Sequence, residues 1–374
     1  MSYNVQNLFD TTHDKYRNEK GQLVDQDDYE YLPFGYPGKT EGCYAKTSSR
    51  YKKICLSQDW TPKRLELKVN QIADIITCTK IERDANGKLI RVCDKKKPDV
   101  LALTEVENEK VLRLLQKRLG YTGLLIAKKG SDHRGIDVAL LYSGNKTFKY
   151  VTHTDYSINP FLANTNDKDL GPLRGKYLRT RSMLEALFMV NGREKLYVYV
   201  NHWPSQSPRH LDIERSAFAK MLLQKVYGRL SRDPRAYAVS LGDYNVIDDD
   251  DYPHSFREII LNKKISRFVD AHDVYMRDPN IPHANKLSMP PGTYYYIPER
   301  KWNLLDRVFM ESRLLKRNSP LRVDFSDGYY YNIIAPAFAR YKRKYGPLYY
   351  RFNELNPELA GYSDHFPVEF KLTY

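Results

Sequence analysis

The apolar run PDVLALTEVEN, at residues 98–108, constrains the fold of this chain most strongly. A strand this continuously apolar is buried on both faces, so structure must cover it on each side. A helix is predicted before it over residues 61–78, because Thr61 suits a helix N-cap and Pro62 the first helical position. A second amphipathic helix is predicted after it, at about residues 109–119. The run and its neighbours therefore predict an α/β fold.

Shorter strand patterns and a third helix extend this architecture. The strand segments are SYNVQNLF, TGLLIAKK, DVALLYS, SMLEALFMV, LYVYVNHW, AYAVSLGDYNV, TYYYI, LLDRVFM and HFPVEFKL, and the helix spans about residues 212–230. Strand–helix–strand units with antiparallel strands in both halves are typical of two packed sheets with helices outside. No Pro/Ser linker interrupts the chain, which favours one domain over residues 1–374, with insert loops at about 11–60, 79–97 and 326–361.

Polar side chains recur at the ends of these strands. They are Asn4, Asn7, Glu105, Arg134, Asp137, Asn201, His202, Asp243, Asn245, Asp306, Asp364 and His365. Taken singly, each is best explained as a cap or a turn residue. The same feature on so many strands is harder to explain in this way, because α/β proteins build their functional sites from loops at strand ends.

The charge of the chain favours an anionic partner. Lys and Arg number 60 against 46 Asp and Glu, for a formal net charge of +14, and the cations are spread along the sequence. Such a surface attracts nucleic acid first and an anionic membrane second. A soluble protein that happens to be basic is the alternative. The 31 tyrosines suit stacking on bases and suit core packing equally well. No apolar run reaches the length of a transmembrane helix, so no membrane span is predicted.

The four cysteines form two local pairs in the sequence. Cys43 and Cys55 flank a basic loop, and Cys78 and Cys93 flank a segment in which an Asn-Gly pair predicts a hairpin turn. Two disulfide bonds and a secreted or periplasmic location are one interpretation, although no secretory signal is visible in this chain. Four free thiols, which leave a cytoplasmic location open, are the other. A zinc site would need CxxC-type spacing, which is absent.

Taken together, NVQNLFD, LTEVEN, RGIDVALLY, NHWPS, LGDYN and YSDHFPV resemble, in order, the motifs of the endonuclease/exonuclease/phosphatase superfamily. This is the fold of deoxyribonuclease I and of the exonuclease III-like abasic-site endonucleases. NHWPS with RGIDVALLY and GTYYY…KWNLLD is most similar to the bacterial, often exported, branch. The resemblance implies a four-layered α/β sandwich, with two packed, mixed, mainly antiparallel sheets flanked by helices and a site at the ends of the sheets.

The resemblance also implies a metal site and an activated water. Glu105 would be the principal metal ligand, with Asn4 and Asp364 around the same ion. These ligands offer oxygen atoms and no thiolate, which suits Mg²⁺ or Mn²⁺. Ca²⁺ as a structural ion is a further candidate. Asp243 would orient or deprotonate the attacking water, and Asn245 would hold the phosphate.

The remaining residues would bind the phosphate and assist the leaving group. His365 would contact the phosphate, kept cationic by Asp306, and His202 would be a general acid oriented by Asp137. Predicted substrate contacts are Asn7, Arg134, Asn201 and Arg307. Arg307 stands where the bacterial branch often has Gln, and it would add a cation to the site unless its side chain points away.

One further departure concerns the family segment GDFND, which is GDYNV in this chain, so the second acid is lost at Val246. The acidic run at residues 248–251 is interpreted as a solvated loop. Neither departure removes a core catalytic residue, and an active enzyme is expected.

Three functions compete. A metal-dependent nuclease acting on DNA, or on RNA, as a monomer fits the charge and the tyrosines. A phosphatase or phosphodiesterase acting on a small or lipid phosphate would want an exposed aromatic hairpin for docking. The segment TYYYIP is the candidate for such a hairpin and is interpreted as a core strand instead. A non-enzymatic binding protein is hard to reconcile with the complete set of catalytic residue types.

The neighbouring residues Asp364 and His365 impose a geometric condition. Adjacent residues on a strand point to opposite faces, so both side chains reach one site only where the chain turns. Gly361 and Ser363 suit such a turn, and the regular pleat is expected from Phe366 onwards.

Overall fold

Two six-stranded mixed sheets form the centre of the structure. The structure is a computed structural model that describes residues 1–206, 212–247, 256–326, 328–341 and 346–374. In chain order its strands are β1 (Ser2–Leu8), β2 (Lys15–Arg17), β3 (Leu23–Asp25), β4 (Lys80–Arg83), β5 (Leu89–Val92), β6 (Val100–Val106), β7 (Gly123–Ile126), β8 (Asp137–Tyr142), β9 (Phe148–Tyr156), β10 (Met183–Val190), β11 (Glu194–His202), β12 (Ala236–Asp243), β13 (Phe268–Asp270), β14 (Tyr294–Tyr296), β15 (Lys301–Asn303), β16 (Asp306–Glu311), β17 (Arg322–Val323), β18 (Tyr331–Ile333), β19 (Val368–Phe370) and β20 (Leu372–Thr373). Its α-helices are α1 (Lys39–Ala45), α2 (Ser49–Ser57), α3 (Pro62–Thr77), α4 (Glu109–Leu119), α5 (Ile158–Asn164), α6 (Asp212–Leu230), α7 (Ala271–Arg277) and α8 (His283–Ser288).

Each sheet combines one parallel pair of strands with antiparallel neighbours. The first sheet has the order β18-β19-β1-β6-β8-β7 and the second has the order β13-β16-β12-β11-β10-β9. The parallel pairs are β1 with β6 and β11 with β12. Because parallel neighbours end at the same edge of a sheet, the polar residues after β11 and β12 are brought side by side.

Side chains alternate between the two faces of β12 and pack into a different core on each face. Tyr237, Val239 and Leu241 pack in the core shared with the first sheet, whereas Ala236 and Ala238 pack in a second core with α5 and α6. On the outer side of the first sheet, α3 contacts β1 and α4 contacts β7. The order helix, sheet, sheet, helix confirms the predicted four-layered α/β sandwich.

The helices form where their end residues favour them. Thr61 accepts a hydrogen bond from the backbone N–H of Arg64 at the start of α3, and Pro62 takes its first position. Asn108 caps α4 in the same way, and Gly120 ends it with φ 66°. The predicted helices at about 109–119 and 212–230 agree with α4 and α6.

The three predicted insert loops contain more structure than the sequence indicated. Residues 11–60 hold the β2/β3 hairpin and the helices α1 and α2, joined by a Cys43–Cys55 disulfide. Residues 79–97 form the predicted hairpin, β4 with β5, closed at its base by a Cys78–Cys93 disulfide. Residues 326–361 contribute β18 to the edge of the first sheet.

Two strand predictions differ from the structure. The edge strand β9 was missed because Phe148 is its one buried residue, so it has no apolar run. The interpretation of TYYYIP as a core strand is wrong: β14 forms a two-stranded sheet with β15 outside both main sheets, and Tyr294 adds an isolated antiparallel bridge to His365. No helix in the described part of the chain is long and apolar enough to cross a membrane.

A buried cation lies between α3 and the last segment of the chain. Lys68 is fully buried, and its Nζ donates to the carbonyl of Tyr362 at 3.1 Å and lies 4.0 Å from the ring centroid of Tyr350. Burial, opposed by Asp364 and Glu105, lowers the pKa of Lys68 to about 7.

We predict that Lys68→Met changes how stability depends on pH. Because the folded-state pKa of Lys68 is depressed, the unfolded chain binds more protons between about pH 7 and pH 10, so this group destabilises the fold as pH falls through that window. The gain in unfolding free energy of the variant over the wild type should grow as pH falls from 10 to 7, by at most about 1.4 kcal/mol per pH unit. Urea unfolding at a series of pH values measures it, with Lys63→Met, an exposed position on α3, as the control. A pH-independent difference would contradict the assignment.

Candidate active site

A row of three side chains crosses the second sheet where β11, β12 and β16 meet. His202 ends β11 and pairs in parallel register with Asp243, which ends β12. Asp243 in turn pairs in antiparallel register with Asp306, which begins β16. Directly paired residues on neighbouring strands point to the same face, so the three side chains lie side by side. All three are buried.

Irregular backbone at the ends of β1 and β6 turns Glu105 towards this row. The register shifts within both the β1–β6 and β6–β8 pairs, and Gln6, Asn7 and Glu105 have positive φ angles of 50°, 60° and 65°. Residues other than glycine rarely adopt this conformation, and such strain is concentrated at functional sites. The result is that Glu105 Oε2 accepts from the Asn7 backbone N–H at 2.9 Å, while Oε1 lies 4.0 Å from His202 Nε2.

Asn4 connects the two sheets. Its Nδ2 donates to Asp243 Oδ2 at 2.9 Å and to Glu105 Oε1 at 3.4 Å, whereas its Oδ1 accepts from the backbone N–H of Gln6 at 3.0 Å. The backbone therefore occupies the amide oxygen, and the NH₂ group faces the carboxylates. Asn4 thus holds the two carboxylates together, and its ligation of the metal stays a prediction.

Asp364 and His365 reach the site from a turn, as their adjacency requires. Gly361 has φ 71°, and Ser363 Oγ accepts from the backbone N–H of His365 at 3.1 Å and donates to the carbonyl of Asn4 at 2.7 Å. Regular pairing resumes only with β19. Both side chains line the same cleft.

His365 carries a positive charge inside the cluster. Its Nδ1 lies 2.6 Å from Asp306 Oδ2, and its Nε2 lies 3.9 Å from Asp243 Oδ2. Burial alone would lower the pKa of His365, but Asp306, followed by Asp243 and Asp364, raises it well above the usual value. The imidazolium is therefore held by one carboxylate on its Nδ1 side, with its Nε2 side towards the cleft.

Asp243 titrates near neutral pH. Burial raises the pKa of Asp243 to about 7, a shift that His365 opposes and Asp306 supports. Hydrogen bonds from Asn4 and from the backbone of Asn245, at 2.9 Å each, favour the ionised form. Asn245 itself has φ 52° and lines the cleft.

His202 is the neutral member of the site. Burial, followed by the charges of Arg181 and Arg134, lowers the pKa of His202 well below its usual value. Its Nε2 lies 3.8 Å from Asp243 Oδ2, and its Nδ1 has no hydrogen-bond partner among the described residues.

Oxygen donors from three segments line the cleft: Glu105, Asp364 and Asn7. Burial, opposed by His365 and supported by Glu105, raises the pKa of Asp364. The Oδ1 atom of Asn7 is buried and has no hydrogen-bond partner in the part of the chain that is described. Carboxylates and an amide oxygen are the donors that a hard divalent cation prefers. Glu105, Asp364 and Asn7 therefore fit the predicted Mg²⁺ or Mn²⁺.

These groups lie in a cleft of about 1930 Å³. Its basic side chains are Lys46, His133, Arg134, Arg179, Arg181 and Lys301. Its tyrosines are Tyr29, Tyr31, Tyr51, Tyr294 and Tyr296. Its acidic side chains outside the cluster are Asp25, Asp27, Glu30, Asp132, Asp212, Glu214 and Glu299.

The structure places two of the predicted substrate contacts outside the cleft. Arg307 follows Asp306 on β16, so the pleat turns it to the opposite face, where Nη1 pairs with Asp270 at 2.6 Å. The side-chain amide of Asn201 is engaged inside the protein, donating to Ser240 Oγ at 2.9 Å and accepting from Trp203 Nε1 at 3.1 Å. Neither side chain is in place to contact a substrate in the cleft, which corrects both predictions.

Asp137 is not joined to His202, contrary to its predicted orienting role. It begins β8 and is half-buried, and burial, with Asp155 and Asp132, raises its pKa well above the usual value. No hydrogen bond links it to His202 in the described residues, and its Oδ1 has no partner there. The acidic run at residues 248–251 lies outside the described residues.

Asp132 and Arg181 are among the cleft residues that were missed from the sequence. Arg181 stands just before β10, in the same strand-entry position that singled out Arg134 before β8. Polar residues next to strand ends are the candidate site residues in the sequence, and the same criterion identifies Arg181.

Buried carboxylates lie beside a charged imidazolium at the ends of two packed sheets. This arrangement is typical of phosphoesterases. The model of the Endonuclease/Exonuclease/phosphatase family matches residues 53–374, and the chain belongs to this family. Among curated proteins, none matches the chain.

Several solved structures are similar to the chain at low sequence identity. TDP2 of D. rerio, complexed with a single-strand DNA product, has 18% identity and a TM-score of 0.45, covering 74% of this chain and 86% of that one. The human Nocturnin catalytic domain, with a bound sulfate anion, has 17% identity and a TM-score of 0.44, with coverage of 73% and 82%. The mannosyl-6-phosphatase Bt3783 of Bacteroides thetaiotaomicron has 16% identity and a TM-score of 0.45, with coverage of 74% and 85%.

We predict that Asp306→Asn lowers both the pKa of His365 and the catalytic rate. Removing the carboxylate 2.6 Å from Nδ1 takes away the charge that keeps the imidazole protonated. Hydrolysis of bis(p-nitrophenyl) phosphate with Mg²⁺ should fall by roughly 10²- to 10⁴-fold, as for other groups that act in proton transfer or bind developing charge.

The pKa of His365 can be followed by NMR of the imidazole ring protons. Asp273→Asn is a matched control, because Asp273 also lies beside a histidine, 3.6 Å from His272 Nδ1, but away from the cleft. An unchanged His365 titration in Asp306→Asn would show that this ion pair does not set its charge.

Proposed function

We propose that the protein is a divalent-metal-dependent nuclease that hydrolyses phosphodiester bonds of nucleic acid, DNA in particular, by in-line attack of water. The observation that carries the proposal is that one cleft combines the carboxylate–imidazolium cluster with basic and tyrosine side chains. Its volume of about 1930 Å³ exceeds the roughly 300–1,000 Å³ of small-molecule pockets. Such a cleft has room for several linked nucleotides.

The metal and the base would act from opposite sides of Asn4. Held by Glu105, Asp364 and Asn7, a divalent cation would neutralise charge on the non-bridging phosphoryl oxygens. Asp243, with a pKa of about 7, accepts a proton from the attacking water near neutral pH. Because Asn4 donates to both Glu105 and Asp243, it fixes the distance between the two functions.

The phosphate would be bound by His365 and Asn245. The charged imidazolium of His365 faces the cleft with Nε2. The backbone N–H of Asn245, a residue with positive φ, donates to Asp243, and its side-chain amide donates to the carbonyl of Trp203 at the cleft. Charge-assisted hydrogen bonds of this kind are about twice as strong as neutral ones. His202 is neutral, so we assign it a hydrogen bond to a phosphoryl or leaving oxygen in place of the general-acid role predicted from the sequence.

Tyrosines from two inserts would stack on the bases. Tyr29 and Tyr51 come from the segment before α3, and Tyr294 and Tyr296 come from the β14/β15 hairpin. Aromatic faces interleaved with cations bind single strands with little sequence preference, because every base has a π-face.

The two disulfide bonds support a role in an oxidising compartment. Bonds such as Cys43–Cys55 and Cys78–Cys93 persist in secreted and periplasmic proteins and are rare in the cytosol. We infer that the protein is secreted or periplasmic, like the bacterial exported branch that its motifs resemble, and that it acts as a monomer.

A second candidate is a phosphatase or phosphodiesterase of a small or lipid phosphate. It is favoured by the acidic side chains Asp25, Asp27 and Glu30 on the cleft wall, which repel a long polyanion. The hairpin of β14 and β15 also leaves Tyr296 and Ile297 exposed at its tip, 38% and 50% respectively, where they could meet a lipid surface.

A substrate panel separates these candidates. Supercoiled plasmid, linear duplex, single-stranded DNA, RNA, a phosphoinositide and p-nitrophenyl phosphate would be incubated with Mg²⁺ or with EDTA. We expect nucleic acid to be cleaved with Mg²⁺ and spared with EDTA, with His365→Ala inactive. Cleavage that survives EDTA, or turnover of the monoester alone, would overturn the proposal.

The surface charge adds a separate prediction about salt. If nucleic acid binds through phosphate contacts with the basic side chains of the cleft, kcat/KM on single-stranded DNA should fall steeply, about tenfold or more, between 50 and 200 mM NaCl. Initial rates at fixed Mg²⁺ and a range of NaCl concentrations measure this. A flat profile would show that the net charge of +14 does not act on the substrate.

A further inference from the structure

Two strand-entry segments are joined along one wall of the cleft. Residues 131–134 lead into β8 and residues 178–181 lead into β10. The backbone N–H of Ser131 donates to the carbonyl of Thr180 at 2.8 Å, and its Oγ donates to the carbonyl of Leu178 at 3.0 Å. These bonds connect the two sheets, because β8 belongs to the first and β10 to the second. The segments therefore form one rigid support.

Asp132 joins two arginines on this support. Its Oδ2 accepts from Arg181 Nη1 at 3.1 Å, and its Oδ1 lies 3.6 Å from Arg134 Nε and accepts the backbone N–H of Arg134 at 2.9 Å. The Asp132 side chain is 5% exposed. Both guanidinium groups share the Asp132 carboxylate, and Arg134 also interacts with Glu105 and Glu30. Positive charge near buried groups is stable where anions neutralise it.

Donors on this wall lack partners. Thr180 is 5% exposed and Arg181 8%, and both line the cleft. The Oγ1 atom of Thr180 and the Nε atom of Arg181 are buried and make no hydrogen bond within the described residues. Unpartnered buried donors cost stability, so their presence here indicates a ligand that accepts hydrogen bonds.

The wall adjoins the catalytic cluster without belonging to it. The carbonyl of Trp203, the residue after His202, accepts from Arg181 Nη2 at 3.1 Å and from Asn245 Nδ2 at 3.1 Å. Arg181 is therefore tied to the same peptide as the amide assigned to the scissile phosphate. An anion bound by Arg181 would lie beside that phosphate.

We propose that Arg134, Arg181 and Thr180 form a subsite for a second anionic group of the substrate, the phosphate next to the scissile one, and that Asp132 positions the two arginines. The inference rests on the proposed nuclease function and makes it more specific. A subsite of this kind selects a phosphodiester chain with charged neighbours over an isolated phosphate ester, since only the chain fills both positions.

The test compares two cleavable strands that differ only in the neighbouring charge. One is an all-phosphodiester oligothymidylate, and the other has a single phosphodiester among neutral methylphosphonates. We expect wild-type kcat/KM, with Mg²⁺, to fall at least about tenfold on the neutralised strand, the size of one charge-assisted hydrogen-bond set. In Arg181→Gln the two strands should be cleaved within about threefold of each other, mainly through a raised KM on the charged strand.

Three further variants separate a binding role from a structural one. Thr180→Val keeps the side-chain shape and removes the hydroxyl, and we expect a smaller loss on the charged strand alone. Asp132→Asn should raise KM on the charged strand and leave kcat within about threefold, with Asp132→Glu recovering part of the loss. Equal losses on both strands in Arg181→Gln would place Arg181 at the scissile phosphate and overturn the second subsite.

Binding gives a readout that does not depend on cleavage. Fluorescence anisotropy of 5′-labelled oligothymidylate in EDTA should show at least about tenfold weaker binding for Arg181→Gln. Arg277→Gln is the matched control, since Arg277 is 82% exposed on α7 and does not line the cleft. If the wild type cleaves no nucleic acid, the nuclease proposal fails while anisotropy still tests the subsite. Equal affinity of wild type and Arg181→Gln would overturn the subsite even in an active nuclease.

Discussion

The contact between Asp306 and His365 is the interaction on which the site depends. Asp306 begins β16 in the second sheet, and His365 lies just before β19 in the first, so their 2.6 Å contact joins the two sheets at the level of the cleft. It also determines a charge, because a buried imidazole is protonated only beside a carboxylate. Asp364 precedes His365 in the same turn, so the contact between Asp306 and His365 also keeps Asp364 at the site.

Buried carboxylates at the site need nearby cations, and Lys68 and Arg134 provide them. Burial raises the pKa values of Asp243 and Asp364, and repulsion from Asp306 and from Glu105, respectively, adds to the two shifts. Lys68 lies behind the first sheet and Arg134 beside the cleft, and both interact with Glu105. Cations therefore stabilise these acids from two directions, and the proposed metal and phosphate would bind on the cleft side.

Much of the fold was predictable from the sequence, because apolar strands and capped helices such as α3 and α4 leave strong periodic patterns. Most of the predicted site residues also lie at the cleft, since a polar residue that ends a strand lies at the edge of its sheet. The sequence identifies that edge but not the face, and this is why Arg307, next to Asp306, and Asn201, next to His202, point elsewhere.

The remaining differences come from features without a local pattern. The left-handed backbone at Asn7 and Glu105 is imposed by packing between strands, and no residue there is glycine. The pairing of Asp132 with Arg181 joins residues 49 positions apart, which only the folded sheets bring together. The left-handed backbone and the Asp132–Arg181 pair both depend on strand register. Register is a property of the whole sheet, so a local sequence pattern does not reveal it.

The helices α1 and α2, closed by Cys43–Cys55, form part of the cleft wall through Lys46 and Tyr51. Most of this wall precedes residue 53, where the match to the family begins, whereas the catalytic strands after β1 lie within the match. The cleft is thus lined by two parts of the chain, the disulfide-closed helices, which mostly precede the match, and the strands within it. Substitutions confined to α1 and α2 would alter one wall of the cleft and leave the positions of Glu105 on β6 and Asp243 on β12 unchanged in sequence.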